Sequence, residues 1–155
     1  MKKRKPKHTD KCTKYALDVI NSEVIAGPFA RATCQRHLDD LDNAGKRGYY
    51  YDEFIANKAI AFFEEILHLS GGQWEGKPFL LLPWEDFIIA SLFGWLRIPP
   101  NCTHIKRETK DIKENPWMWI NNDTGEETKP LRRFRVAYIE TAKGSGKSSI
   151  AGALD

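Results

Sequence analysis

The last sixteen residues, 140–155, read ETAKGSGKSSIAGALD and constrain the fold more than any other stretch of the chain. They follow a short apolar run at 136–139 that is typical of a buried strand. The phosphate-binding loop consensus is G-x-x-x-x-G-K-[ST], and residues 141–148 match its closing Gly-Lys-Ser, with Thr141 in place of the first glycine. Residues 149–154 then favour a helix. This order of strand, loop and helix predicts the start of an α/β P-loop NTPase (RecA-like) domain.

The residue types in this loop suit the binding of a nucleoside triphosphate. Gly144 and Gly146 let the backbone turn its N–H groups inward around phosphate oxygens, where a helix N-terminus adds favourable partial charge. Lys147 is expected to contact the β and γ phosphates, and the Ser148 hydroxyl to complete a magnesium shell. Lys143 is a second cation, placed to face the γ phosphate or a neighbouring subunit. The alternative is a glycine- and serine-rich loop that binds nothing.

The sequence therefore predicts ATP and Mg²⁺ as ligands, with Lys147 and Lys143 as the catalytic residues and Ser148 as the metal ligand. The predicted ATP contacts in the loop are Ala142, Lys143, Gly144, Ser145, Gly146, Lys147, Ser148 and Ser149.

Hydrophobic periodicity predicts four helices before residue 97. Apolar residues recur at helical spacing over 12–20, which gives the first helix. Pro28 opens the second, because a missing N–H costs nothing in the first turn. Asp52 offers an N-cap oxygen to the third, whose apolar stripe covers 55–67. The fourth is predicted over 83–96 and ends before two prolines.

The pattern changes in the last third of the chain. Residues 101–115 are polar and charged without a steady period, which predicts a loop that contains some strand at most. Residues 117–120 and 134–139 have strand-like composition and are separated by turn-forming residues, which predicts a hairpin-like pair that leads into the phosphate loop. The predicted organisation is a basic disordered arm over 1–11, a helical region over 12–96, and the start of the ATPase domain over 97–155.

The charge distribution is uneven. The first fourteen residues carry a surplus of +6, whereas the whole chain carries +3, so the remainder carries −3. A basic arm before a mildly acidic body is typical of proteins that contact phosphates or another acidic surface, and also of solvated tails.

Cysteine content and hydropathy exclude several classes of protein. Cys12, Cys34 and Cys102 are odd in number, widely spaced and without a CxxC pair, so the sequence predicts neither a disulfide framework nor a zinc knuckle and favours a reducing cytoplasm. Cys102 and His104 form a metal-ligand pair only if a second pair lies nearby. No apolar run approaches the roughly 20 residues that span a bilayer, so no membrane association is expected.

Three blocks of the sequence resemble one family. They read YALDVINSEVIAGPFARATCQRHLDDL, AIAFFEEILHLSGGQWEGKPFLLLPWEDFIIASLFGW and RRFRVAYIETAKGSGKSS. In this order, across almost the whole chain, they are similar to the amino-terminal part of the large terminase subunit of tailed bacteriophages, the ATPase that drives DNA into an empty capsid. The resemblance implies double-stranded DNA, a small terminase subunit and a portal protein as partners. It also implies a homo-oligomer in the full-length family and a location in the host cytoplasm.

The resemblance also adds two residues to the predicted ATP site. The segment 80–90 looks like the family's adenine-recognition segment, in which a Gln usually follows the Trp. Here Glu85 follows Trp84, and an ionised carboxylate accepts a hydrogen bond from an adenine amino group but donates none to a ring nitrogen. Trp84 is expected near the base or in the core, whereas Trp95 is expected to pack in the core. Lys143 stands where related terminases usually have Arg. The lysine keeps the positive charge but cannot make the bidentate hydrogen bonds of a guanidinium.

The family's later catalytic motifs are not in this sequence. No strand ending in Asp-Glu follows Ser148, so there is no Walker B carboxylate, coupling motif or cluster of nuclease carboxylates. The 155-residue polypeptide is therefore expected to hydrolyse ATP negligibly by itself, and a truncated gene or part of a longer product is expected. There are two alternative functions. One is a non-catalytic helical module that binds DNA or a partner, with a vestigial P-loop. The other is a different P-loop enzyme such as a phage helicase, but the blocks before Gly72 argue against it, because a helicase has no reason to carry them.

Overall fold

The protein is described here from a computed structural model, which covers residues 10–69, 73, 75–111 and 113–141. The predicted loop contacts 142–149 lie outside these residues. Helices account for most of the described residues up to Gly94, and short antiparallel strands join or follow them. The α-helices are α1 Lys11–Ile20, α2 Pro28–Asn43, α3 Glu53–Ala61 and α4 Pro83–Gly94. The strands are β1 Tyr49–Tyr51, β2 Trp95–Arg97, β3 Cys102–Lys106, β4 Trp117–Asn121 and β5 Glu127–Thr128.

Local sequence signals explain where the first three helices begin. The Asp10 carboxylate accepts hydrogen bonds from the backbone N–H groups of Cys12 and Thr13, so it caps α1. Pro28 is the first residue of α2, as predicted. The Asp52 side chain accepts from the Ile55 N–H and caps α3, also as predicted. These helix predictions are confirmed, except that the predicted arm ends too late, because Lys11 already belongs to α1.

The third and fourth helices end earlier than their apolar patterns predict. α3 ends at Ala61 and continues as a single π-helical turn, Phe62–Ile66. α4 ends at Gly94, and the predicted helical residues Trp95 and Leu96 lie in β2 instead. β2 pairs antiparallel with β1. An apolar run cannot by itself distinguish a buried helix turn from a buried strand, which is why this boundary was wrong.

Gly94 allows the close contact between α4 and the β1–α3 connection. A Cβ atom built on Gly94 would lie 2.6 Å from Tyr51 Cε2 and 2.8 Å from the Cβ of Ala56. The Gly94 carbonyl also accepts a hydrogen bond of 2.8 Å from the Asp52 N–H, directly before α3. The β1–α3 connection therefore packs directly against the backbone of α4 at Gly94, which has no side chain to separate them.

The four helices share one hydrophobic core. Its fully buried side chains include Cys12, Val19, Cys34, Phe63 and Ile89, and partly buried residues such as Trp84 pack around it. Arg31 fastens the second helix to the end of the first, because its guanidinium donates to the backbone carbonyls of Val19 and Ile20 at 2.7 and 3.3 Å. Across the described ranges, no helix combines the length and the apolar character needed to cross a bilayer.

The second sheet corrects the predicted strand pair. β4, which covers the predicted strand 117–120, pairs with β3 on one side and β5 on the other. Residues 134–139, all of which the structure describes, form no strand. Val136 and Tyr138 are each 88% exposed. β3 lies inside the polar stretch 101–115, where the sequence predicted mainly loop.

Candidate nucleotide site

The chain that leads towards the predicted phosphate loop is attached to the helical core at residues 131–133. The Arg97 N–H donates to the Leu131 carbonyl at 2.8 Å, and the Arg133 N–H donates to the Trp95 carbonyl at 2.9 Å. These two bonds flank an antiparallel bridge between Leu96 and Arg132. Backbone hydrogen bonds therefore fix this segment beside β2, eight residues before Thr141.

A buried carboxylate holds the side chain of Arg133. Asp40, on α2, is 4% exposed, and its Oδ2 lies 2.6 Å from Arg133 Nη1. Its Oδ1 accepts from Arg47, whose side chain is 54% exposed, whereas that of Arg133 is 12% exposed. The Arg133 guanidinium also lies over the Tyr49 ring at 4.7 Å. A buried carboxylate needs such partners, because removing them would leave an uncompensated charge in the interior.

Beyond this attachment, most of the described chain that precedes the loop is exposed, and only Phe134, Ile139 and Thr141 are partly buried. Residues 134–140 make no strand, and their large apolar side chains at Val136 and Tyr138 face solvent. The predicted buried strand at this position is therefore wrong for the chain described here, because an apolar strand needs neighbouring strands on its polar edges as well as cover on its faces.

Trp84 and Glu85, the other predicted nucleotide contacts, lie in the first turn of α4. Trp84 is partly buried against the core. Glu85 is 5% exposed, and its Oε2 accepts a hydrogen bond of 2.7 Å from the Leu82 N–H. This is the carboxylate half of a capping box, so Glu85 satisfies a backbone donor at the start of its own helix. Adenine contact by either residue stays a prediction.

Two lysines counted in the basic surplus are engaged by carboxylates. Lys11 Nζ lies 2.8 Å from Glu64 Oε1 and 3.4 Å from Asp86 Oδ2, and Lys14 Nζ lies 2.6 Å from Asp18 Oδ2. Burial raises the pKa of Asp86, and the positive charge of Lys11 acts against this rise. The other cations of this surplus, at residues 2–7, lie outside the described residues.

His37 has a structural environment. It is 2% exposed, and the Trp95 Nε1–H donates to its Nδ1 at 3.1 Å. Because an indole nitrogen only donates, Nδ1 is the acceptor and the ring proton lies on Nε2, 3.1 Å from Thr13 Oγ1. His37, on α2, thus joins α1 and β2 through its two ring nitrogens. Trp95, 2% exposed, packs in the core as predicted.

Contacts between aromatic side chains join the two sheets, and the His104 ring takes part in them. The imidazole stacks on Trp119 with ring centres 4.3 Å apart, and the Trp119 Nε1–H donates to the Tyr50 hydroxyl at 2.8 Å. Burial lowers the pKa of His104, which favours the neutral ring. The Cys102 thiol donates to the Pro100 carbonyl at 3.3 Å. Within the described ranges, no group of three or more His, Cys, Asp or Glu is placed to hold a metal ion.

The sequence gives no sign that Asp40 and Arg133 form a pair. Asp40 lies on a charged helix face and Arg133 lies in an arginine-rich stretch, and both are common local patterns. The two residues are 93 positions apart in the sequence. No periodic signal connects positions so far apart. Comparisons of the chain with protein-family models, with curated proteins and with solved structures gave no match.

Proposed function

We propose that this chain is the nucleotide-binding, amino-terminal portion of a phage terminase large subunit, whose full-length form uses ATP to package double-stranded DNA into capsids. The sequence support is the loop TAKGSGKS at 141–148 together with the three blocks that resemble the family in its order. In the full-length protein, the small terminase subunit and the portal would be its partners, and the host cytoplasm its location.

The observation that carries the proposal is the attachment of the segment that enters the loop. Residues 131–133 are hydrogen-bonded to β2, and Arg133 is paired with the buried carboxylate of Asp40. A phosphate loop is effective only when a rigid scaffold presents its backbone N–H groups. The attachment fixes residues 131–133, eight residues before Thr141, to the same helical core that contains Trp84 and Glu85, and this core is the scaffold that we propose for the loop.

The proposed ligands are ATP and Mg²⁺. The backbone of residues 142–149 would surround the phosphates, Lys147 and Lys143 would balance their charge, and Ser148 would supply an oxygen to the metal. Hydrolysis by this polypeptide alone is expected to be negligible, because its sequence offers no Walker B carboxylate. A turnover close to that of an intact packaging ATPase would contradict this expectation.

A titration of ATP with Mg²⁺ into the full chain, followed by calorimetry, tests the proposal. We expect binding that Lys147→Ala abolishes. Lys129→Ala is the matched control, because Lys129 is exposed, lies outside the loop and removes the same charge. Circular dichroism of both variants must match the parent. Equal loss of binding in the two variants, or no binding by the parent at millimolar ATP, would reject the nucleotide assignment.

A non-catalytic binding module is the second candidate, and the exposed side chains of Val136 and Tyr138 favour it. Its signature is DNA binding without nucleotide binding. DNA affinity that depends on the arm should fall with salt by a log–log slope near −0.9 for each phosphate neutralised. Deletion of residues 2–7 should flatten this slope, whereas an unchanged slope would exclude the arm from DNA contact.

A further inference from the structure

An aromatic cleft lies between α3, the π-helical turn and α4. Its volume is about 390 Å³. Ile55, Phe62, Phe63 and Phe93 form most of its apolar lining. Phe63 is 1% exposed and belongs to the core, whereas Phe62 is 44% exposed and offers its ring to a ligand. This volume falls in the range of small-molecule sites, which are mostly apolar with a few well-placed polar groups.

Two cations, Lys58 and Arg132, supply the polar groups of this cleft. Among the described residues, no carboxylate lies within 4.0 Å of either side chain. Other cations that pack against the helical core are engaged, as Lys11 is by Glu64 and Arg133 by Asp40. An apolar cleft with two cations that have no carboxylate partner in the described part of the chain complements an anion with an apolar body.

Arg132 is already held in one orientation. The flanking hydrogen bonds of residues 131 and 133 fix its backbone beside Leu96, and its guanidinium carbon lies 4.5 Å from the centre of the Phe93 ring. A guanidinium that covers an aromatic ring keeps its N–H edge available for a second partner. Such an edge matches the oxygens of a phosphate. Because Arg132 is already held in place, ligand binding would cost little of its side-chain entropy.

We propose that this cleft binds a nucleoside monophosphate unit, with its base against Phe62 and its phosphate contacted by Lys58 and Arg132. The exposed ring of Phe62 favours an aromatic body, the two cations favour a phosphate, and a nucleotide carries both groups. The unit is either a free mononucleotide or part of a single DNA strand. The site is separate from the segment 80–90, because Phe93 lies nine residues beyond Trp84, roughly 13 Å along α4. It does not depend on the P-loop proposal.

The test uses the full chain with Lys147→Ala, so that the P-loop lysine does not contribute. Thymidine monophosphate and an unlabelled eight-nucleotide oligothymidylate are titrated separately at low salt, with calorimetric detection. We expect binding that Arg132→Ala and Lys58→Ala each weaken about tenfold, because a charge-assisted hydrogen bond is lost. Phe62→Leu should weaken it at least about fivefold, since it removes the stacking ring.

Arg36→Ala is the matched control. The Arg36 guanidinium also covers a phenyl ring, that of Phe134 at 5.3 Å, and lies outside the cleft. Unfolding midpoints of all variants are compared, and Lys58→Ala, at an exposed position, keeps the test valid if Arg132→Ala unfolds. Binding of the mononucleotide identifies a free nucleotide as the ligand, and binding of the oligonucleotide alone identifies a DNA strand. Absence of both, or losses no larger than that of Arg36→Ala, would overturn the proposal.

Discussion

Replacing Arg133 should destabilise the protein much more than replacing Arg47, although both arginines bind the same carboxylate. The side chain of Arg133 is 12% exposed and that of Arg47 is 54% exposed, while Asp40 is 4% exposed. Water screens the outer pair, and such pairs contribute about 0–1 kcal/mol. The inner pair is shielded, and Arg133 also covers the rings of Tyr49 and Trp95 at 4.7 and 5.3 Å.

The magnitude for Arg133→Met follows from the two interactions that it removes. Loss of a charge-assisted hydrogen bond costs about 1.5–3 kcal/mol, and loss of the ring contacts costs about 0.5–1 kcal/mol more. Methionine keeps most of the apolar stem, and Arg47 still balances Asp40. We therefore expect the free energy of unfolding to fall by about 2–4 kcal/mol. For a domain of this length, the midpoint should fall by roughly 4–16 °C.

Urea unfolding at pH 7, followed by tryptophan fluorescence, measures this difference. Arg47→Met is the matched control, and its free energy of unfolding should change by less than about 1 kcal/mol. Asp40→Asn should be at least as severe as Arg133→Met, because it leaves a mostly buried guanidinium without its carboxylate. Equal effects of Arg133→Met and Arg47→Met would refute the argument from burial. If the P-loop proposal is correct, Arg133→Met should also weaken ATP binding, because the segment 131–133 that precedes the loop loses its side-chain contact with α2.

Three further predictions concern packing, titration and capping. Gly94→Ala should lower the free energy of unfolding by about 1–3 kcal/mol, because its Cβ overlaps Tyr51 and Ala56. Burial raises the pKa of the Cys12 thiol from 9.0 to about 12. The unfolded chain therefore loses this proton first, and stability should decline above pH 9 by up to about 1.4 kcal/mol per pH unit from this group. Glu85→Ala should cost about 1 kcal/mol of helix capping, whereas Glu85→Gln, which keeps an acceptor oxygen, should cost less.

Each of these predictions has a matched control in the chain. Gly45→Ala introduces its Cβ where no atom lies within 4 Å, so equal losses at Gly45 and Gly94 would exclude overlap as the cause. Cys12→Ala should reduce the alkaline decline in urea unfolding, and Cys102→Ala, which removes a thiol that is not buried, is its control. An equal change in both variants would contradict the burial argument. A Glu85→Gln variant as unstable as Glu85→Ala would show that the cap is not the main role of this side chain.

The helical part of the fold was largely predictable because its signals are local. Pro28 lies in the first turn of α2, the Asp52 cap lies next to the first turn of α3, and the apolar stripes repeat within each helix. Strand pairing was less predictable, because a strand is stabilised by whichever partner the rest of the chain brings beside it. The segment 117–120 was recognised as a strand, but its partners were β3 and β5 rather than 134–139.

The amino-acid sequence by itself determined the four helices and the phosphate-loop pattern at 141–148, since short-range spacing and residue type specify both. Only the tertiary structure decided that Arg133 joins Asp40 across 93 residues, that Glu85 caps its own helix, and that Lys58 and Arg132 meet at one aromatic cleft. The physical reason is that burial and charge pairing depend on distances in space. Those distances exist only after distant segments have packed into a common core.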